Sequence, residues 1–152
     1  MSSIQSILKN KKPMVSVSID QMVLDAVEKM ALNDIGAVLV LDATGAIAGI
    51  FTERDCLQKV SRHCLDPAAT PVSDVMTGHV RYAKLDHQIE GCLRLMTERY
   101  FRHLPVLADD QTILGMVSIG DLVKARLVEQ DFIIDQMEHY IADSPPLARS
   151  VK

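Results

Sequence analysis

Two short stretches of this sequence repeat the same chemical groups at the same spacing. Residues 49–55 read Gly-Ile-Phe-Thr-Glu-Arg-Asp, and residues 115–121, 66 positions later, read Gly-Met-Val-Ser-Ile-Gly-Asp. In both, a hydroxyl residue precedes an aspartate by three positions. A carboxylate can accept hydrogen bonds from two adjacent hydroxyl groups, as in a ribose, and a Ser or Thr hydroxyl can bond a phosphate oxygen. The two stretches therefore carry groups that could bind a nucleotide.

The same spacing has a second explanation, which concerns helix stability alone. Thr52 and Ser118 fall where a predicted strand gives way to a predicted helix, and the acid follows three positions later. In a capping box, such a hydroxyl and carboxylate satisfy the free backbone N–H groups of the first helical turn. Capping leaves the preceding glycine unexplained, and it does not prevent a phosphate from binding at the helix N-terminus. Both explanations stay open on the sequence alone.

Composition and charge favour a small soluble protein. The 152 residues suffice for one compact domain, or for two small halves that share a core. A net charge of −4 without a basic tract argues against nucleic-acid binding. The N-terminal residues lack the apolar core of a signal peptide, and no apolar run reaches the roughly 18 residues of a membrane span. We therefore expect a cytoplasmic protein without membrane partners.

Cysteine and histidine show no pattern of metal or redox chemistry. Cys56, Cys64 and Cys92 are widely spaced, and we interpret them as small apolar residues in a reducing compartment. The five histidines lack the spacing of metal ligands. Because no nucleophile–base pair accompanies the repeated stretches either, we expect neither catalytic residues nor a metal site, and we predict that the protein is not an enzyme.

The repeat extends well beyond the two short stretches. Positions 16–60 align with 82–126 without a gap. Each half contains an amphipathic helical pattern, two apolar runs joined by turn residues, and a second helical pattern at about 53–64 or 119–129. Together with the extended stretches SVSI and RYAK, each half is predicted to be strand–helix–strand–strand–helix, which makes an α/β (α+β) fold.

The two halves would each be marginally stable alone, and we expect them to pack with approximate two-fold symmetry. Asp20 and Asp86 precede the first helical pattern of each half, and we predict that they are helix caps. A short lead-in segment precedes each repeat. The predicted boundaries are 1–66 for the first repeat, 72–128 for the second, 129–143 for a C-terminal helix and 144–152 for a loose tail.

On these residues, the sequence resembles the CBS domain, named for cystathionine β-synthase, in the tandem pair often called a Bateman module. The resemblance covers about residues 4–128 and rests on the two glycine–hydroxyl–aspartate stretches and on FRHLPVL at 101–107. It implies a stand-alone, bacterial-type regulatory protein such as an energy sensor. The implied ligand contains adenosine (AMP, ADP, ATP, NAD(H) or S-adenosylmethionine) and would be regulatory rather than a catalytic cofactor.

The resemblance also implies which residues line two clefts between the repeats. Asp55 and Asp121 would hold ribose, while Thr52 and Ser118 would meet phosphate and the two motif glycines would permit close backbone approach. The other implied contacts are the cations Arg54, Arg102 and His103, the adenine contacts Tyr82, Ala83 and Pro105, and, in the first repeat, Ser16, Val17, Leu39, Gly36 and Ala37. The two arginines could equally be solvated surface charges, and His103 could be a buried, hydrogen-bonded side chain.

The two clefts are not equivalent. The second repeat has Arg102 and His103 where the first has Gly36 and Ala37. A guanidinium can bond two phosphate oxygens at once. We therefore expect tighter binding in the second cleft, while the small residues of the first leave room for a longer ligand such as a dinucleotide.

The C-terminal stretch points to a partner. It has an apolar stripe at helical spacing, formed by Phe132, Ile133, Met137, Tyr140 and Ile141. This stripe could belong to a core helix or form the contact of a homodimer, which is common among CBS pairs and among oligomers in general. Because the chain carries no effector domain, we expect the regulated protein to be a separate, unidentified partner. The alternative is a structural dimerisation module without a ligand.

Overall fold

The computed structural model describes residues 3–141, and their side chains as far as residue 138. The helices are α1 (Ile4–Leu8), α2 (Val23–Asn33), α3 (Glu53–Asp55), α4 (Ile89–Arg99) and α5 (Ile119–Ile141), and the strands are β1 (Ser16–Ser18), β2 (Ala37–Leu41), β3 (Ile47–Thr52), β4 (His103–Leu107) and β5 (Ile113–Ser118). This mixture of helices and strands confirms the predicted fold class. The predicted loose tail lies outside the described residues.

The chain divides into two compact units. One comprises residues 12–82, and the other combines residues 3–11 with residues 83–141. Among the described residues, no helix combines the length and the apolar character needed to cross a membrane. The predicted two-fold packing of the halves stays a prediction.

The unit of residues 12–82 has the predicted strand–helix–strand–strand order. β1 lies parallel to β2, and β2 is antiparallel to β3, in the order β1-β2-β3. The apolar side of α2 covers this sheet with Val23, Ala26 and Met30, which join Val38 and Phe51 in one buried cluster. Burial of this apolar face stabilises the unit, since each fully buried aliphatic or aromatic side chain contributes about 1.5–3 kcal/mol.

The second helix of this unit differs from the prediction for residues 53–64. α3 gives way after one turn to a wider, π-type turn over Cys56–Ser61. Its backbone bonds span five residues, from the N–H of Arg62 to the carbonyl of Leu57 (3.1 Å) and from Leu65 to Val60 (3.0 Å). Turns of this kind are rare, and sequence periodicity does not distinguish them from an ordinary helix.

The other unit lacks the strand predicted for RYAK at 81–84. Only Ala83 pairs there, in parallel with Val106, beside the two-stranded sheet of β4 and β5. In the first repeat, the N–H of Leu39 donates to the carbonyl of Val15 (3.4 Å). The position equivalent to Leu39 is Pro105, which has no N–H to donate. Proline therefore removes the hydrogen bond that would lengthen this strand.

The predicted aspartate caps are wrong for both first helices. α2 begins after Met22 and α4 after Gln88, so Asp20 and Asp86 lie outside the cap positions. In α2, the carboxylate of Asp25 instead accepts a hydrogen bond from the N–H of Met22 (2.9 Å). The acid that stabilises this helix start therefore comes from inside the first turn.

Each lead-in segment packs on the sheet of the other repeat. α1 contacts β5 and α5, while Thr77 pairs with Ile50 through two backbone hydrogen bonds of 2.8 and 2.9 Å. Each compact unit therefore combines most of one sequence repeat with the lead-in segment of the other. The predicted boundaries of the sequence repeats stay a prediction.

The two motif glycines make room for these segments. A Cβ atom on Gly49 would lie 2.6 Å from the sulfur of Met76, and one on Gly115 would lie 2.9 Å from a methyl group of Leu8. Only a residue without a side chain allows so close an approach. The glycines therefore make room for the packing of the lead-in segments, and their expected role in a close approach to a ligand stays a prediction.

α5 is continuous from Ile119 to Ile141, so the helical pattern predicted at about 119–129 and the C-terminal helix predicted from residue 129 form one helix. Its first turns pack against α4, β5 and α1, where Leu122 is fully buried. Phe132, Ile133 and Met137 are 54–65% exposed, which argues against a core helix as the explanation of this apolar stripe. The side chains of Tyr140 and Ile141 lie outside the described residues.

Candidate functional site

Asp55 is buried and uses both carboxylate oxygens within its own unit. Its Oδ2 accepts hydrogen bonds from the N–H (3.0 Å) and the hydroxyl (3.1 Å) of Thr52, whose Oγ1 accepts from the N–H of Asp55 (3.2 Å). Its Oδ1 accepts from the hydroxyl of Thr77 (3.1 Å) and lies 3.0 Å from Nζ of Lys59. A carboxylate has about four acceptor positions. Asp55 thus forms a capping box and also holds the lead-in segment, which leaves it little capacity for a ligand.

Asp121 forms the same capping box but keeps more freedom. Its Oδ2 accepts a hydrogen bond from the N–H of Ser118 (2.8 Å), and the Ser118 Oγ accepts from the N–H of Asp121 (3.1 Å). The ammonium group of Lys11 also bonds Oδ2 and donates to the carbonyl of Met116 (2.7 Å). The described hydrogen bonds do not use Oδ1, and the side chain is 28% exposed. Oδ1 of this carboxylate can therefore accept a hydrogen bond from a hydroxyl group.

Opposing effects act on the ionisation of Asp121. Burial raises the pKa of its carboxyl group, but the hydrogen bond and charge of Lys11 and the hydrogen bonds from Ser118 outweigh burial and lower this pKa below its usual value. The group is therefore a carboxylate at neutral pH, as a hydrogen-bond acceptor for ribose must be.

Lys11 and Thr77 occupy equivalent positions in the two lead-in segments, since they lie 66 residues apart. Each contacts the motif aspartate of the unit on which its segment packs. Sequence reasoning did not identify either residue as part of the site. The repeat spacing was the available signal, but nothing in it indicated that the segments exchange places.

His103 and Arg102 lie beside Ser118 and Asp121. His103 is the register partner of Ser118 across β4 and β5, and the N–H of Ile119 donates to the carbonyl of Arg102 (2.8 Å). Burial, followed by the positive charges of Arg102 and Lys11, lowers the pKa of His103 to about 4, and the charge of Asp121 only partly opposes this shift. His103 is therefore neutral at pH 7, and the positive charge near Asp121 comes from Arg102 and Lys11.

We expect His103 to make stability depend on pH. The unfolded chain binds a proton on this residue below pH 6.5, whereas the folded chain does so only near pH 4. The unfolded state therefore binds more protons in that window, so the free energy of unfolding should fall on acidification by about 1.4 kcal/mol per pH unit. Urea unfolding at pH 7 and pH 5 should differ by about 2 kcal/mol, and His103→Gln should remove most of this difference. An unchanged difference in the variant would refute the assignment to His103.

The residues predicted to contact adenine are only partly brought together. Ala83 is fully buried; its N–H donates to the carbonyl of Pro105 (2.8 Å), and its own carbonyl accepts from Leu107 (2.9 Å). Ala83 and Pro105 thus lie side by side, but the backbone of Ala83 is already used within the sheet. Tyr82 is 45% exposed and ends the unit of residues 12–82.

In that unit, the predicted residues gather at one end of the sheet, with one exception. Ala37 is the register partner of Thr52, and the carbonyl of Gly36 accepts a hydrogen bond from Glu53 (3.0 Å). Arg54 is exposed on α3, and Ser16 lies in register with Leu39. The exception is Val17, whose side chain belongs to the core cluster, and the side chains of Ala37 and Leu39 are also fully buried.

An apolar groove of about 380 Å³ lies elsewhere in the same unit, between α2 and residues 53–61. It is lined by Val27, Met30, Ala31, Asp34, Ile35, Glu53, Cys56, Leu57 and Ser61, so none of the predicted ligand residues borders it. Burial and the charge of Asp55 raise the pKa of the Cys56 thiol. That thiol stays protonated at neutral pH, which fits its interpretation as a small apolar residue.

Comparisons with known proteins agree with this architecture. The CBS domain model matches residues 4–62 and 72–128. The mitochondrial CBS domain-containing protein CBSX3 of Arabidopsis thaliana is 35% identical over 126 residues, which cover 80% of this chain and 61% of that protein. This chain thus spans less than two thirds of the length of that relative.

Solved structures show the same similarity. A CBS-domain protein from Burkholderia ambifaria is 41% identical, with a TM-score of 0.80 over 85% of this chain and 96% of that one. A hexameric CBS-CP12 protein from bloom-forming cyanobacteria is 26% identical, with a TM-score of 0.75 over 91% of this chain and 82% of that one. The two matched segments cover most of the sequence and include both glycine–hydroxyl–aspartate stretches. The chain belongs to the CBS domain family and carries two CBS domains.

Proposed function

We propose that this chain is a regulatory sensor that binds an adenosine-containing ligand (AMP, ADP, ATP or NAD(H)) and signals to a separate protein. The observation that supports the proposal most directly is the carboxylate of Asp121, which is ionised, partly exposed and has one oxygen free of the described hydrogen bonds. Such an oxygen can accept a hydrogen bond from a hydroxyl group of ribose.

The surroundings of Asp121 suit the phosphate of the same ligand. Lys11 and Arg102 supply positive charge, and the hydroxyl of Ser118 stands at the start of the 23-residue helix α5. The neutral imidazole of His103 can donate one hydrogen bond and accept another without adding charge. These groups would together bind a nucleoside phosphate, with Asp121 on ribose and the cations on phosphate.

We propose that Asp55, the motif aspartate of the first repeat, has a mainly structural role. Because Asp55 already receives four hydrogen bonds or ion contacts, ribose would have to displace one of them. This favours the alternative of a non-binding, structural module for that half alone. A ligand there would depend on other groups, such as the backbone near Gly36 and Ala37.

Signalling would follow from competition between the ligand and Lys11. A ribose hydroxyl or a phosphate that engages Asp121 or Lys11 changes how firmly residues 3–11 are held. A ligand shifts an equilibrium only if it binds one arrangement better than the other. The partner that responds is proposed to be a different protein, and the chain itself is proposed to form a homodimer.

Calorimetric titration with AMP tests the proposal. We expect one binding step per chain, or two clearly unequal steps, with GMP as the control nucleotide. Recovery of intact AMP afterwards distinguishes a sensor from an enzyme that consumes it. Two identical steps per chain would contradict the unequal roles of Asp55 and Asp121, and no heat with any adenine nucleotide would favour a purely structural module.

A further inference from the structure

The two repeats differ at the apolar groove between α2 and residues 53–61. In the second repeat, the equivalent elements are α4 and the start of α5, which pack directly against each other. In the first repeat, a groove of about 380 Å³ lies between the corresponding elements. The aligned residues of the two repeats therefore identify the side chains that keep this space open.

Most residues that line the groove are smaller than their counterparts 66 positions later. Cys56 aligns with Leu122, which is fully buried, and Ser61 aligns with Leu127. Protein interiors are close-packed, and side chains that border an open space lack contacts that a filled space would give them. The first repeat therefore lacks the side chains that would fill its own groove. The same difference holds for Val27 with Leu93, Ala31 with Thr97 and Ile35 with Phe101, of which Leu93 and Phe101 pack against the core cluster that contains Leu122.

The wide, π-type turn forms one wall of the groove. Cys56, Leu57 and Ser61 belong to this turn and line the groove, whereas their counterparts lie in the regular helix α5. Leu57 is 67% exposed although its side chain is entirely apolar. Turns of this type are rare and are frequently found at functional sites. The wall is thus a local departure from regular helix that leaves a large apolar side chain uncovered.

The groove carries negative charge at its edge. Asp34 follows the last residue of α2 where the second repeat has Tyr100, and Glu53 begins α3 where the second repeat has Ile119. Neither carboxylate forms a hydrogen bond or ion pair with another described residue. The C-terminal end of α2 adds a partial negative charge beside Asp34.

Basic residues near the groove in the sequence do not pair with these two acids. Lys29 donates to the carbonyl of Ser16 (2.7 Å), and Lys59 contacts Asp55 (3.0 Å). Arg54 and Arg62 are exposed, but neither is among the described residues that line the groove. The groove therefore suits an occupant that combines apolar side chains with positive charge.

The open form of the groove favours a protein segment over a small molecule. Small-molecule sites typically enclose about 70–90% of the ligand surface, whereas Ala31, Leu57 and Ser61 are exposed here. An amphipathic helix that lays its apolar side into a groove needs such an open surface. A two-fold contact of the groove with itself would bring the acidic linings of both copies together. These features favour a segment of a different protein.

We propose that this groove docks an amphipathic helix of the regulated partner, with its apolar side chains against Cys56 and Leu57 and a Lys or Arg beside Asp34 and Glu53. The inference rests on the proposed function for the existence of a separate partner, and it adds the surface and the chemistry by which that partner is recognised. Docking does not compete directly with AMP at Asp121, because Asp121 and its ligand-binding neighbours do not border the groove.

Fluorescence anisotropy with a labelled helical peptide of about 15 residues tests the docking site. The probe carries leucines at helical spacing, a pair of lysines beside them, and alanine and glutamine elsewhere. A second probe has glutamates in place of the lysines. We expect saturable binding of the lysine peptide to the full chain and binding of the glutamate peptide that is weaker by roughly tenfold or more. The double variant Asp34→Asn, Glu53→Gln should remove this difference.

Variants of the groove locate the bound peptide. Cys56→Leu and Ser61→Leu introduce the residues of the second repeat, fill the groove and should each weaken binding of the lysine peptide by roughly tenfold. Ser61 is exposed, so its replacement does not disturb the core. Leu57→Ala should weaken binding as well, whereas Leu32→Ala should not, because Leu32 is an exposed leucine of α2 outside the groove.

Three results would overturn the docking site. They are the absence of saturable binding, equal binding of the lysine and glutamate peptides, and undiminished binding by both Ser61→Leu and Leu57→Ala. Light scattering that shows a dimer for the unmodified chain and a monomer for Leu57→Ala would assign the groove to a second copy and would also overturn it.

Calorimetry with AMP separates this inference from the proposed function. The groove variants should bind AMP as the unmodified chain does. Binding of the lysine peptide by a chain that gives no heat with AMP would support the docking site and count against the sensor. Heat with AMP from a chain that does not bind the peptide would count against the docking site alone.

Discussion

Exchange of Asp121 for Asn should abolish the thermal stabilisation by AMP and leave the ligand-free protein nearly as stable as before. Asn keeps one acceptor oxygen for the N–H of Ser118, so the helix cap survives. The ion pair with Lys11 is about 30% exposed on both sides, and such pairs contribute about 0–1 kcal/mol. The charge-assisted bonds to ribose, worth roughly 1.5–3 kcal/mol each, would be lost.

The expected size of the effect makes a thermal-shift assay sufficient. AMP at about 100 times its dissociation constant stabilises a binding-competent fold by about 2.7 kcal/mol. For a chain of this length, that corresponds to a melting shift on the order of 5–10 °C. Asp121→Asn should show almost none of this shift.

Asp55→Asn is the matched control and should behave in the opposite way. Its new amide group would point donor hydrogens either towards the ammonium group of Lys59 or towards the N–H of Thr52, neither of which can accept a hydrogen bond, in a site only 6% exposed. The ligand-free protein should therefore lose about 1.5–3 kcal/mol of stability, while the AMP shift persists. If Asp55→Asn removed the shift and Asp121→Asn only lowered stability, the assignment of roles to the two aspartates would be reversed.

Gly49→Ala should destabilise the protein more than Gly115→Ala does. The added Cβ would lie 2.6 Å from the sulfur of Met76 and 2.8 Å from the backbone oxygen of Thr77. That oxygen is held by the paired hydrogen bonds between Thr77 and Ile50, so it cannot move without breaking them. Overpacking of this kind costs about 1–3 kcal/mol, and we expect the upper end of that range.

Gly115→Ala provides the comparison. Its Cβ would meet only the Leu8 side chain, at 2.9 Å, which can rotate away. We expect a loss below about 1 kcal/mol. Urea unfolding of the two variants measures both values, and equal losses would refute the view that the backbone at Thr77 makes Gly49 indispensable.

Much of the local structure follows from the sequence itself. The apolar patterns predicted the helices α2 and α4 and the strand pairs β2–β3 and β4–β5, because the apolar residues of these elements must face a core. The pairing of a hydroxyl with an aspartate three positions later predicted a capping box at the start of α3 and α5, since this contact involves only neighbouring residues. The same repeated stretches indicated the CBS family.

Local sequence patterns gave the wrong secondary structure at two places, where a proline or a single wide helical turn determined the backbone. Pro105 removed the hydrogen bond that its counterpart Leu39 makes, so the first strand of the second half is reduced to one pairing residue. The π-type turn after α3 spans only six residues, which is too short for its apolar pattern to be distinguished from that of an ordinary helix.

The difference between the two aspartates was decided by tertiary structure alone. Asp55 and Asp121 follow a glycine and a hydroxyl residue at the same spacing, and the capping rule does not separate them. The lead-in segments exchange sheets, which brings the hydroxyl of Thr77 to Asp55 and the ammonium group of Lys11 to Asp121. These contacts join residues 22 and 110 positions apart. A hydrogen bond depends on where two side chains meet in space, so only the folded chain determines which carboxylate keeps an oxygen for a ligand.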